Sequence, residues 1–563
     1  NSDTTNYNTA VGFQAGRNTT TGIQNTSIGG LAGDALTDAD FNIAVGYNAL
    51  TSDTLGSKSV AVGHAALSVQ NFTTATDSFN TAVGHNAGVN VTTGTSNTLI
   101  GGLAGDAITS GELNVYVGSN TGSASTTSDN NTAVGAYAFD AGTGNRNTAL
   151  GSGALGGASN SADENTAVGR DAGNALSTGS LNTLIGAFSA DAMTTGTRNV
   201  ALGYATLSDD TQGQRSTAIG YGALPVQNFT TATESNNTAV GYLAGGAITT
   251  GVKNVLLGAN AGDHLTDADF NVAIGYLALD ADTLGSKSVA IGLQALTTQN
   301  ATSAADMHNT AIGFQSAMSL TTGQQNTIVG SLAGDSLTTG SVNSFYGYES
   351  GGAGTITGDA NAGYGNSTLG GLTSGSNNIG VGNAAGFQIT TGDNNICIGH
   401  DAGRSASPSG VITTGDNQLC LGNNLTANIF QRVATTVTSD QRDKTDVVDL
   451  TAGLDFVKAL EPVVYKWDQR SDYLDPENES MTLDDVTPDG THKKPQLDVG
   501  FLAQKVIEQE EALGHKMSDE TNLVSGVSAD GKSYGLKYEK FVPILVKAIQ
   551  ELSAEVDKLK SGG

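Results

Sequence analysis

"NTAVGFQAGRNTTTGIQNTSIGG", Asn8 to Gly30, contains the whole rule of the first four hundred residues. Asn-Thr-small-branched-Gly appears twice, at Gly12 and Gly29, and then keeps returning: Gly46, Gly63, Gly84 and on to Gly422, 24 glycines in all. Most steps are 17 residues; three, ending at Gly84, Gly241 and Gly313, are 21 and carry inserts such as "VQNFTTATDSFN". Three steps of 17 and one of 21 make a second period of 72. A fixed short period means a solenoid, because one unit can bury its apolar face only by stacking on its neighbours.

Each slot has a job. Four residues before the glycine, 20 of the 24 repeats place Asn; Ser59, Ser216, Ser288 and Gln418 fill the others. Stacked at strand spacing, such a column predicts an amide ladder whose members also bond local backbone. Small-then-branched pairs such as Ala10-Val11 and Ala311-Ile312 suit a short strand on a narrow interior. The glycine fits a turn or a close backbone approach. Ala recurs three residues later (Ala15, Ala32, Ala49, Ala66), and "TTG" reads as the return turn. At about 4.8 Å per layer, the stack would be an arm on the order of 115 Å long.

Composition excludes several functions. The 563 residues carry a net charge of −29 with only 14% charged side chains, so neither nucleic acid nor an anionic membrane is an expected partner. No run approaches a membrane span, and no signal peptide is visible. The chain opens on repeat sequence without an initiator Met, which reads as a fragment or processed form with its anchor upstream. Cys397 and Cys420 share a slot in consecutive repeats and read as buried small apolar residues, a disulfide being the alternative. The histidines have no metal-ligand spacing, and no metal or cofactor is expected.

Over residues 8–425 these units resemble the head repeats of trimeric autotransporter adhesins of the YadA type, whose "NS-x-AIG-x-x-A" motif builds a parallel β-roll; similar repeats occur in phage fibres. The resemblance implies a mostly β, parallel β-roll of about 24 repeats assembled as a homotrimeric rod, although the 17-residue period exceeds that family's usual unit. The slot after the glycine often holds a ring, including Tyr204, Tyr221, Tyr242 and Tyr276, and rings along a rod could stack on bacterial surface sugars; packing within the roll or between subunits is the alternative. Aspartates of "DALTDADFN" (Asp34, Asp38, Asp40) and "DHLTDADFN" (Asp263, Asp267, Asp269) offer the hard oxygens that calcium takes but match no established calcium loop, and read as helix caps or solvated turns.

At "TVTSDQRDKTDVV", Thr436 to Val448, the monotony ends. "LTAGLDFVKALEP" predicts a helix stopping before Pro462, "VVYKW" a strand, and "DVGFLAQKVIEQEEAL" a strand entering a helix. The last element carries Leu545, Ile549, Leu552, Val556 and Leu559 at alternating steps of four and three, a short coiled-coil seam.

"SDQRDK", "GLDFVKALEPVVYKW", "VGFLAQKV" and "YGLKYEKFVPILVKAIQEL", in this order, resemble the C-terminal intramolecular chaperone of phage endosialidases and tail fibres. The resemblance implies a small α+β domain that trimerises the fibre, sets its register and then cuts itself away. It implies Ser439 as nucleophile, Lys444 as general base and Thr438–Ser439 as the scissile bond, with Asp440 and Arg442 as motif residues. A serine hydroxyl needs such a base, and lysine serves only once desolvation has lowered its pKa.

The expected organisation is a shaft over residues 1–425, a connector over 426–438 and the chaperone over 439–563. The expected function is a virion tail fibre or spike, made in the host cytoplasm, that meets a bacterial surface glycan or protein receptor. It would join other tail proteins through a missing N-terminal region. The enzymatic activity expected is one self-cleavage per chain. A polysaccharide-degrading tailspike and a bacterial trimeric adhesin are the alternatives.

Overall fold

The computed structural model describes residues 5–562 apart from 158–159, 353, 427, 431, 433–434, 475–480, 482 and 529, so the predicted connector 426–438 lies partly outside the described residues. The chain divides into two compact units, Asn1–Gln325 and Asn326–Gly563, and the division falls within the repeat array.

Twenty-four three-residue strands, each ending immediately before a repeat glycine, account for the array among the described residues. In the first unit they run from Thr9–Val11 to Thr310–Ile312, and in the second from Thr327–Val329 to Leu419–Leu421. Within each unit neighbouring strands are parallel and in register, so Ala44 lies opposite Ala61 and Cys397 opposite Cys420. This is the predicted parallel β-solenoid. Only the middle residue of each strand faces inward: Ala44, Ala61 and Ala82 are fully buried, whereas their branched followers are half-exposed. Interior volume is shared between two slots. Ala44 goes with Leu50, but Leu99 goes with Gly105 and Tyr116 with Gly122, where an added Cβ would stand 2.4 Å from the tyrosine ring.

The asparagine column is a staple rather than a simple amide ladder. Asn25 Oδ1 accepts from the Asn42 backbone N–H at 2.9 Å, while its Nδ2 donates to the Ala39 carbonyl at 2.7 Å. One side chain thus fixes two points of the following coil, and the buried amide is satisfied at both ends. Ladder bonds are present as well, for example Asn114 Nδ2 to Asn97 Oδ1 at 3.1 Å. Where Ser replaces Asn, the 21-residue turn supplies another buried network. Gln70 Nε2 donates to Asp53 Oδ2 (2.6 Å) and Ser59 Oγ (2.8 Å), and Gln70 Oε1 accepts from Asn80 (2.9 Å). Ser216–Gln227–Asp210 and Ser288–Gln299–Asp282 repeat it. Each long turn also adds a short parallel pair, the first being Gly56–Ser57 with Thr76–Asp77.

In the second unit the array is followed by a small α+β domain. Helix α1, Leu454–Ala459, leads to strand Val463–Tyr465, which pairs antiparallel with Asp498–Gly500; α2 is Ala503–Ala512. A hairpin of Ser525–Val527 and Tyr534–Leu536 precedes α3, Phe541–Ser561. Ala452, Phe456, Val506, Val524, Phe541 and Ile544 form its core. Two carboxylates tie the elements together. Buried Glu510 of α2 accepts from the backbone N–H groups of Leu523 (2.9 Å) and Val524 (2.5 Å). Glu551 of α3 accepts from Leu454 N–H at 2.7 Å, supplying the cap that Gly453 cannot give α1. Among the described residues no helix is long and apolar enough to cross a membrane.

Candidate functional site

The chemistry-bearing cluster lies at the seam. Asp440 caps a single 3₁₀ turn, Gln441–Asp443, by accepting from Arg442 N–H at 2.9 Å. The Arg442 guanidinium grips the same carboxylate, with Nη2 to Oδ2 at 2.7 Å and Nε to Oδ1 at 3.1 Å. This double hold pulls the Asp440 carboxyl below its ordinary pKa, the guanidinium contributing first and the backbone N–H second. The turn reverses the chain enough to bring Lys444 back over Ser439, and Lys444 Nζ stands 2.6 Å from Ser439 Oγ. Nζ also approaches the Ser439 carbonyl at 3.4 Å. Thr438, Ser439 and Lys444 are exposed in the single chain.

The ring column is present on the first unit. Tyr204, Tyr221 and Tyr242 stack on one another with centroids 5.3 and 5.4 Å apart and planes within 14°. Their faces turn toward each other, which leaves edges and hydroxyls to solvent at about half exposure. Tyr276 stands apart in the same column, flanked by Ala259 and Leu293.

The turn aspartates bind the neighbouring coil. Asp40 accepts from Ile23 N–H (2.8 Å), Asp269 from Val252 N–H (2.7 Å), Asp34 from Thr51 (2.5 Å) and Asp267 from Thr250 (2.6 Å); Asp38 accepts from Thr21. Asp263 differs, accepting from Asn260 of its own coil at 3.1 Å. Asp263, His264 and Asp280 bring three potential ligand atoms within 4.8 Å of one another, with His264 Nδ1 3.0 Å from the Asp280 carbonyl oxygen. Both cysteines are free and buried. Burial, with Cys420 alongside, pushes the Cys397 thiol up to about 12, so it is an inert core group.

The Ser–Gln–Asp networks were not anticipated, yet a signal was there. Each Ser that interrupts the asparagine column is followed by Gln eleven residues later.

The sequence profile of a family described as chaperone of endosialidase matches residues 439–515, beginning at Ser439 itself. No curated protein and no solved structure matches the chain. The second unit therefore carries a segment similar to an intramolecular chaperone, directly after a parallel β-solenoid.

Proposed function

We propose that the chain is the shaft of a trimeric bacteriophage tail fibre or spike, aligned by its C-terminal domain, which then cuts itself free before Ser439. The observation that carries this reading is the 2.6 Å contact of Lys444 with Ser439, at the first residues of the chaperone-like segment. Neutral Lys444 would take the Ser439 Oγ proton as Oγ attacks the Thr438 carbonyl carbon. The C–N bond then breaks with the proton going to nitrogen, and water hydrolyses the resulting ester to a Thr438 carboxylate and a free Ser439 amine.

On this reading Lys444 becomes a base when the other copies cover it and strip its solvent. Assembly is thereby the trigger. Two apolar surfaces support a partner of the same chain. The α3 seam is open, with Leu545, Leu552 and Leu559 exposed by 44, 47 and 78%. Outward residues such as Ile100, Val134, Ile185 and Ile312 form an exposed column on the first unit. Receptor contact at the host surface falls to exposed side chains of the solenoid, the tyrosine column included.

Intact-mass analysis after expression tests the cut. Wild type yields residues 1–438 and 439–563 as separate masses, and Ser439→Ala or Lys444→Ala stays whole. A wild-type trimer that never divides overturns the reading.

A further inference from the structure

In a set of coils, the residue just before the inward-facing Leu, Ile or Met donates its backbone N–H to the next coil. Ala175 donates to Asp191 O (2.9 Å), Ala192 to Ser208 O (3.1 Å), Ala247 to Asp263 O (2.7 Å) and Gly371 to Phe387 O (2.7 Å). The inward residues that follow, Leu176, Met193, Ile248 and Leu372, are fully buried. In the last coil this slot falls to Val411, ahead of buried Ile412, and no further strand of the array follows Leu419–Leu421 among the described residues. A backbone N–H left there would lack the acceptor that these four residues have.

It has one. Val411 N–H donates to Asp530 Oδ2 at 3.3 Å, and Asp530 belongs to the hairpin loop of the C-terminal domain. The loop is built to present that oxygen. Asp530 Oδ1 accepts from Lys532 N–H (3.0 Å) and Ser528 Oγ (2.5 Å), and Arg470 Nη2 holds the Lys532 carbonyl at 2.6 Å. Burial alone would raise the Asp530 pKa, but bonds from Ser528, Lys532 and Val411 leave it lowered, so the acceptor stays anionic. Gly410 sits so close that an added Cβ would lie 2.5 Å from Asp530 Oδ1. A second contact, Asn424 Nδ2 to Ser471 Oγ at 2.6 Å, joins the same two parts.

We infer that the C-terminal domain is an end cap for the solenoid, with the Asp530 carboxylate taking the place of the carbonyl that one more coil would offer Val411. The cap's binding partner is the terminal coil, residues 404–424. A chain grown from this end would find its first acceptor already fixed in space. The seat holds whether or not the chain cuts itself, and it spans residues on both sides of Thr438.

Amide exchange of segment 404–415, measured by mass spectrometry on the full-length Ser439→Ala chain, reads the seat without any contribution from cleavage. Asp530→Ala should speed exchange at Val411 by about tenfold or more, the effect of losing a hydrogen bond to a charged acceptor. Asp530→Asn keeps an oxygen acceptor and should stay within about threefold of the parent. Gly410→Ala, which leaves the domain untouched, should loosen Val411 as Asp530→Ala does. Protection at Ala247 reports that the coils remain folded; if Asp530→Ala loses it, Gly410→Ala decides. Unprotected Val411 in the parent chain, or a Val411 unmoved in the folded variants, overturns the inference.

Discussion

Gly258 has no room for a methyl group. Its φ is +137°, and an added Cβ would lie 2.6 Å from the Gly275 carbonyl oxygen of the following coil. Gly258→Ala should cost more than about 3 kcal/mol, through strain and the clash together, and calorimetry should show a lower melting temperature or no folded protein. Val342 is the reverse case. It is a β-branched residue at φ +64°, in a slot where Asn377 and Asn394 adopt the same conformation more readily. Val342→Asn should stabilise by about 1 kcal/mol, seen as a raised melting temperature. Buried Asp210 makes a pH-dependent case. Burial raises its pKa above the ordinary 3.8, although bonds from Gln227, Gly213 and Phe229 oppose this. The folded state therefore holds a proton that the unfolded chain has released, and stability falls as pH rises from 3.8 through the raised pKa. Asp210→Asn lacks that titration, so its melting temperature relative to wild type should climb across the same window. The asparagine column was legible because its spacing is constant. Its targets, such as the Ala39 carbonyl for Asn25, were not, because they depend on how one coil's turn overlies the next.

Helix α3 shows the same split between what periodicity gives and what packing adds. The seam Leu545–Ile549–Leu552–Val556–Leu559 was readable as steps of four and three, and all five side chains are exposed. The face that holds the domain together, Phe541, Ile544 and Ala548, is a different stripe of the same helix. Two faces with separate duties predict separable defects. Leu552→Asp should leave the helix and its core intact by circular dichroism yet abolish the proposed trimer in light scattering. Ile544→Asp should unfold the domain, since a buried charge without a partner costs several kcal/mol. The capping of α1 by Glu551 is long-range and left no sequence trace. At the seam, the Ser439–Lys444 spacing was legible only with the blocks behind it. The role of Asp440 and Arg442 needed coordinates: one caps the turn, and the other clamps the cap. Arg442→Ala should loosen that turn and slow the proposed cut while leaving the proposed trimer unchanged, measured as the rate at which the two masses appear.

For the molecule as a whole, register is the central problem. A shift by one repeat preserves most contacts between the near-identical 17-residue coils, and only the three long turns resist it. If the C-terminal domain aligns a trimer as proposed, a chain ending at Thr438 should assemble poorly, giving mixed species in size-exclusion chromatography where the full chain gives one. The solenoid itself was readable because every coil is governed by the same slots; the number of chains around it was not, because outward residues such as Ile185 look alike whether water or a sister chain covers them.

The in-register stacking of coils has one more consequence. Each strand offers its successor the same row of donors and acceptors, so Leu419–Leu421, the last strand of the array among the described residues, would receive a newcomer were the cap not there. A stack without a stopper could polymerise end to end. Shielding of that rim would then keep particles discrete, and losing it would show as filaments under the electron microscope.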